Sequence, residues 1–139
     1  MIRTQYYAEN EVSMPQFTGP SALRVLGHWV SDEVGLYASG ILEVIDLVRR
    51  AQSEGRFVPQ NWDGNTHAAT ISAQGVEVEN YFVKDLQGRF SLNEALALLH
   101  DFWDYYVLRY PEKVGDAWHD YVRENGRNPL AGLRDITRW

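Results

Sequence analysis

Three segments of the chain carry strong periodic patterns of apolar residues. From Val34 onward, Tyr37, Ala38, Ile41, Ile45 and Val48 recur at helical spacing, and Leu36, Gly40, Val44, Leu47 and Ala51 lie beside them. Only Gly35, Ser39, Glu43, Asp46 and Arg50 remain as a polar strip, so this helix must be covered on two sides. Ser31 reads as its N-cap, with Asp32 and Glu33 in the first turn, where the helix dipole favours negative charge, and the helix runs to about Gln52. Ser91-Leu-Asn-Glu94 is a capping box, and Leu92, Ala95, Leu96, Leu99, Phe102, Trp103, Tyr106 and Val107 continue it as an amphipathic helix to about Arg109. Pro111 suits the first turn of a further helix that buries Val114, Trp118, Tyr121 and Val122 and stops at Gly126. The tail from Asn128 carries Leu130, Leu133, Ile136 and Trp139, enough for one short docked turn or helix.

The third pattern has a period of two. Thr66 to Ser72 and Val76 to Phe82 flank Ala73-Gln74-Gly75 and read as a β-hairpin, with Val76 and Val78 on a packed face and Glu77 and Glu79 on a wet one. Ile2 to Tyr7 and Ala22 to Trp29 read as two further strands, with Val12 to Phe17 as an edge piece because Pro15 cannot donate to a ladder. Residues 53–65 read as loop, with Phe57 and Trp62 tacked onto the body. Together these elements predict an α+β fold. An antiparallel sheet of about four strands, built from the N-terminal strands and the hairpin, packs against one long helix, with additional C-terminal helices beside it. No repeat or linker divides the chain, so residues 1–139 are expected to form a single domain, with a core over about 2–108 and a helical C-terminal extension over about 110–139.

Composition narrows the chemistry. The chain has 139 residues and a formal charge of −6, which argues against direct binding of nucleic acid through phosphate neutralisation. A basic protein is the easier partner to imagine. Residues 31–83 hold eight acids and three bases, whereas residues 84–139 hold nine acids and eight bases, so the middle of the chain dominates the field. Zero cysteines exclude disulfides, thiolate nucleophiles and thiolate metal sites. No apolar run is long enough to span a membrane, and the start of the chain lacks a signal-peptide pattern, so a cytoplasmic protein is expected.

No Gly-x-Ser-x-Gly elbow, phosphate loop or dinucleotide fingerprint is present, so no catalytic residue and no cofactor is predicted. His100 and His119 lie near Asp101, Asp104, Asp116 and Asp120 in sequence, but without HExxH or His-x-His spacing they read as a solvated polar face and not as metal ligands. His28 and His67 read as half-buried strand residues. Glu112, Asp116, Asp120 and Glu124 stand at successive i+4 positions of one helix, and each like-charge pair opposes that helix by about 0.2–0.5 kcal/mol. They read either as a solvated face balanced by Lys113, Arg123 and Arg127 or as a landing strip for a basic protein. Tyr105 falls off the apolar stripe of its helix and is a further interface candidate.

The segment Val25-Leu-Gly-His-Trp-Val-Ser-Asp-Glu-Val34, the long helix, Asn61-Trp-Asp-Gly-Asn-Thr-His-Ala-Ala-Thr-Ile71 and the Gly75-Val-Glu-Val-Glu arm resemble the YacL family of small bacterial proteins. They are also similar to the related CdiI-type immunity proteins found beside contact-dependent growth inhibition toxins. The likeness covers roughly residues 2–108, and the extension from Tyr110 to Trp139 departs from the shorter YacL pattern. The resemblance implies a cytosolic inhibitor that binds the C-terminal domain of a cognate toxin, commonly a nuclease, and blocks its active site or substrate groove. The alternative it leaves open is a YacL-like cytosolic protein of unknown or regulatory role, not catalytic. Two acidic surfaces compete as the partner site: Trp62, Asp63, Glu77 and Glu79 in the middle of the chain, and the stripe Glu112, Asp116, Asp120 and Glu124. The middle surface ranks first because uncompensated charge projects further than balanced charge, which is screened within a Debye length of about 8 Å.

Overall fold

The computed structural model describes residues 4–10 and 13–136. Its sheet is an antiparallel meander in the order β3-β4-β5-β6, formed by Gln60–Asn61, His67–Ser72, Gly75–Asn80 and Gln87–Phe90. The hairpin predicted from the period-two pattern is its centre: β4 pairs β5 from His67 opposite Asn80 to Ser72 opposite Gly75. His67, Ala69, Ile71, Val76, Val78 and Phe90 are buried on one face, while Glu77, Glu79, Gln87 and Arg89 are exposed on the other. The two flanking strands come from segments without a usable pattern. β3 is two residues long, and β6 is Gln-Gly-Arg-Phe, in which only Phe90 brings a large apolar side chain.

The N-terminal segments do not join this sheet. Tyr6–Tyr7 (β1) and Gln16–Phe17 (β2) pair only with each other and lie on helices. The expected strand over 22–29 is helical: a 3-10 turn over Ser21–Leu23 leads into α1, Arg24–Asp32. A strand would have sent Leu26 and Val30 to the opposite face from Leu23, Val25 and Trp29. A helix buries all five and leaves Arg24, His28 and Asp32 on the other side, so burial of the whole apolar set overrides the local alternation. Gly27 is the point of closest approach, because a Cβ there would lie 2.5 Å from the Phe17 ring, and its carbonyl accepts the Tyr6 hydroxyl at 2.8 Å. His28 is therefore a helical residue, whereas His67 stands at the start of β4 as expected.

Ser31 is consequently no N-cap but a buried residue in the last turn of α1. The expected single helix over 31–52 is broken by a 3-10 turn, Val34–Leu36, and resumes as α2, Ala38–Ser53, after an extended Tyr37. Gly35 lets the Phe102 ring press against this corner at a spot where a Cβ would collide with it. Downstream, α2 behaves as its two apolar stripes require, with the sheet on one side and α3 (Leu92–Arg109) and α4 (Pro111–Asn125) on the others. The Ser91 hydroxyl accepts from Glu94 N–H at 3.0 Å and the Glu94 carboxylate from Ser91 N–H at 2.9 Å, completing the capping box. Gly126 ends α4 at φ 70°, a left-handed position that suits glycine. The tail forms a short helix, α5 (Leu133–Ile136), with Leu133 buried in the common core. Ile2, Arg3, Val12 and Trp139 lie outside the described residues. Among the described residues no helix is long and apolar enough to cross a membrane.

Helix α3 is more deeply buried than an amphipathic reading expects, and Asp101 and Asp104 are drawn in with it. Asp101 accepts the Gln5 N–H at 2.7 Å, which ties the N-terminal ribbon to α3. Burial nevertheless pushes its carboxyl up to about 6, with the Gln5 bond opposing the shift and Asp104 adding to it. Between about pH 4 and pH 6 the folded protein therefore holds a proton that the unfolded chain has released, so this residue makes stability fall as pH rises. Asp101→Asn keeps an acceptor for Gln5 and removes the charge. Relative to the parent it should gain up to about 3 kcal/mol at pH 7 and little at pH 4, measured by urea unfolding at both. An equal effect at the two pH values would rule out the buried charge as the cause.

Candidate protein interface

The acidic stripe occupies the exposed face of α4. Glu112, Asp116, Asp120 and Glu124 are all exposed, and only Asp120 has an ion pair among the described residues, with Arg123 at 2.7 Å. Both of those partners are solvated, so the pair contributes about 0.2–1 kcal/mol. Lys113 sits over the Tyr110 ring, 4.9 Å from its centroid. Arg127, which the sequence sets against the stripe, turns the other way: its Nε and Nη2 donate to the two oxygens of Asp46 at 2.8 and 2.5 Å. The Tyr121 hydroxyl donates to the same carboxylate at 2.7 Å. Burial works to raise the Asp46 carboxyl, but Arg127 and Tyr121 outweigh it and hold the group below the usual carboxylate range. Asp46 is thus no part of a polar strip in water; it is buried and clamps the end of α4 to α2.

A groove of about 490 Å³ separates α4 from the first turn of α2. Ala38, Tyr106, Ala117 and Tyr121 form its floor, exposed Leu36 and Tyr37 one rim, and Asp120 and Glu124 the other. On a continuous helix Leu36 and Tyr37 would lie on the apolar stripes. The 3-10 break turns them outward, and Gly35 between Val34 and Leu36 is the signal that could have announced it.

The middle surface is more tightly held than its composition suggests. Glu77 is not uncompensated, because Arg89 pairs with it from the neighbouring strand. Glu79 lies opposite Gln87 and has no ion pair among the described residues. Asp63 is exposed, and its Oδ1 accepts the Ala69 N–H at 3.1 Å. Trp62 is half-buried: its indole lies along Gly40, its carbonyl accepts the Trp29 indole N–H at 3.1 Å and its N–H donates to Ala69 at 2.9 Å. Beneath this loop, the Glu33 carboxylate accepts from Asn65 N–H, Thr66 N–H and the Thr66 hydroxyl at 3.1, 2.9 and 2.7 Å. Burial acts to raise Glu33, yet those donors keep it below its ordinary value.

Tyr105 belongs to neither surface. It is half-buried in a ring cluster, 5.5 Å from Phe102 and 6.2 Å from Tyr6. His100 and Asp104 are buried and not solvated, 3.7 Å apart, and the Asp104 carboxylate accepts Arg134 at 2.6 and 3.2 Å. His119 is exposed on α4 with its ring edge-on to Trp118. Among the described residues no group of three or more histidine or acidic side chains could hold a metal ion. Comparison of the chain with protein-family models, with curated proteins and with solved structures finds no match.

Arg127→Ala would leave the Asp46 charge buried without its cation. Losing a partner of a fully buried pair costs roughly 3–5 kcal/mol. The Arg127 side chain is 46% exposed, so solvent screening brings the expected loss to about 2 kcal/mol. Urea denaturation measures the loss, and amide exchange should show α4 opening before α2 and α3. Unchanged stability and unchanged exchange would mean that Asp46 does not hold α4.

Proposed function

We propose that this protein is an immunity protein, a cytosolic inhibitor with no reaction of its own. It would bind one basic toxin domain, a nuclease of the contact-dependent growth inhibition class, and cover its phosphate-binding groove. The observation that carries this reading is the exposed face of α4, where four carboxylates stand in a row with one paired to a base and Arg127 withdrawn to Asp46. Successive carboxylates sit about 6 Å apart along the axis, four residues at 1.5 Å each. A nuclease holds its substrate by lysine and arginine contacts to phosphate, so a rigid row of anions is the complementary object. The groove beside it adds what charge alone lacks, since Leu36 and Tyr37 offer apolar and aromatic area next to Asp120 and Glu124. The resemblance read from residues 2–108 of the sequence supports the same class of partner, and the less compensated row of charges on α4 is the reason for preferring it here to the middle surface as the place of contact.

The test uses the C-terminal fragment of the large secreted toxin expected to be encoded directly upstream. Asp116→Lys with Asp120→Lys should weaken binding of that fragment about 100-fold at low salt and less at high salt, because like charges would then face each other. Glu77→Lys with Glu79→Lys should weaken it less. Absence of such a gene, or a fragment that binds the parent and the α4 variant alike, overturns the proposal.

A further inference from the structure

We infer that the loop Tyr81-Phe82-Val83 is a preformed apolar anchor for a cationic protein segment that interleaves arginine or lysine with apolar side chains. The inference rests on the reading that the partner is a basic protein, and it adds a contact outside α4. Three consecutive residues, 48%, 76% and 46% exposed, make a contiguous apolar patch, where scattered single exposures would need no explanation. Nor is the loop slack. Asn80 Oδ1 accepts the N–H groups of Phe82 and Val83 at 2.9 and 3.0 Å, and Tyr81 N–H donates to Thr66 at 2.9 Å. Leu86 N–H then donates to Val83 at 3.0 Å and closes the turn. An apolar tip that is already ordered loses little conformational freedom on binding, which is the property of an interface anchor.

The charge around the tip selects the partner. Asp63 and Glu79 are exposed, and with the Glu33 carboxylate behind them they add to desolvation in raising the Tyr81 phenol above its ordinary value. Arg89 is held by Glu77, and Lys84 in the loop itself is a single base beside these acids. A segment that met Phe82 with an apolar side chain would thus find carboxylates for its own cations at the rim. The same acids work against an anionic membrane, the other surface that an exposed aromatic tip could enter.

The probes are nona-arginine and a peptide of equal length that alternates arginine with leucine, each titrated into the isotope-labelled full chain. The alternating peptide should move the amide resonances of Tyr81 to Val83, Asp63 and Glu79, and should bind Phe82→Ser about tenfold more weakly than the parent. Phe82 is exposed, so this variant keeps its fold, and nona-arginine should move the α4 resonances equally in both proteins. An alternating peptide that leaves residues 81–83 unmoved, or binds both proteins alike, overturns the anchor. So does binding to phosphatidylglycerol vesicles that Phe82→Ser abolishes. If the anchor behaves as expected while the upstream toxin fragment does not bind, the immunity reading falls and the anchor stands. If the fragment binds parent and Phe82→Ser equally, the anchor falls and the immunity reading stands.

Discussion

An acidic side chain carried into the core has to find a donor, and in this fold the donors come from the periphery. Glu33, Asp46, Asp101 and Asp104 sit on or at the end of α1, α2 and α3, where the apolar positions between them are packed away from water. An ionised carboxylate so placed costs several kcal/mol unless it is paired or hydrogen-bonded. Glu33 draws in the 65–66 loop, Asp46 draws in Tyr121 and Arg127, Asp101 draws in Gln5, and Asp104 draws in Arg134. Each acid thereby fastens one outer segment to the helical layer. The N-terminal ribbon, the loop before β4, the end of α4 and the C-terminal tail are all held in this way.

This internal use of cations also shapes the surface. Arg127 and Arg134 are withdrawn to buried aspartates, Arg49 donates to the Pro129 carbonyl at 2.6 Å, and Arg50 pairs with Glu54. Of the bases that a count along the chain sets against α4, Arg127 is therefore committed elsewhere, while Arg123 stays on that face beside Asp120. The reverse holds on the outer face of the sheet, where Arg89 from an unforeseen strand meets Glu77. Net charge is a property of composition, but the direction in which a protein presents it depends on which arginines the core has claimed.

Charge and apolar contact make different demands on a binding surface. A row of like charges such as that on α4 acts at a distance and would raise the rate of encounter with a basic partner, an effect that salt weakens. The groove with Leu36 and Tyr37, and the tip at Phe82, act only in contact, through desolvation of ordered aromatic area. The proposed inhibitor would need both, and the two kinds of feature lie on elements fastened by buried carboxylates: Asp46 for α4 and Glu33 for the corner before Tyr37.

The amino-acid sequence alone carries the α+β class, the Ser91 capping box, the stop at Gly126 and the central hairpin, because each rests on side chains within a few residues of one another. It also determined that α2 would be covered on two sides, since its polar strip is too narrow for solvent. Tertiary structure decided what local pattern left ambiguous. Residues 22–29 satisfied an alternating pattern in part, and only burial of Leu26 and Val30 beside Trp29 made the helix the better answer. β3 and β6 exist because β4 and β5 offered edges to pair with, and neither strand carries a period of its own. For the candidate interface, the sequence named the four acids of α4, but Arg127 lies 81 residues from the aspartate it serves. Only the packing of α4 on α2 brings the two together, and that contact decides which acids are left facing the solvent.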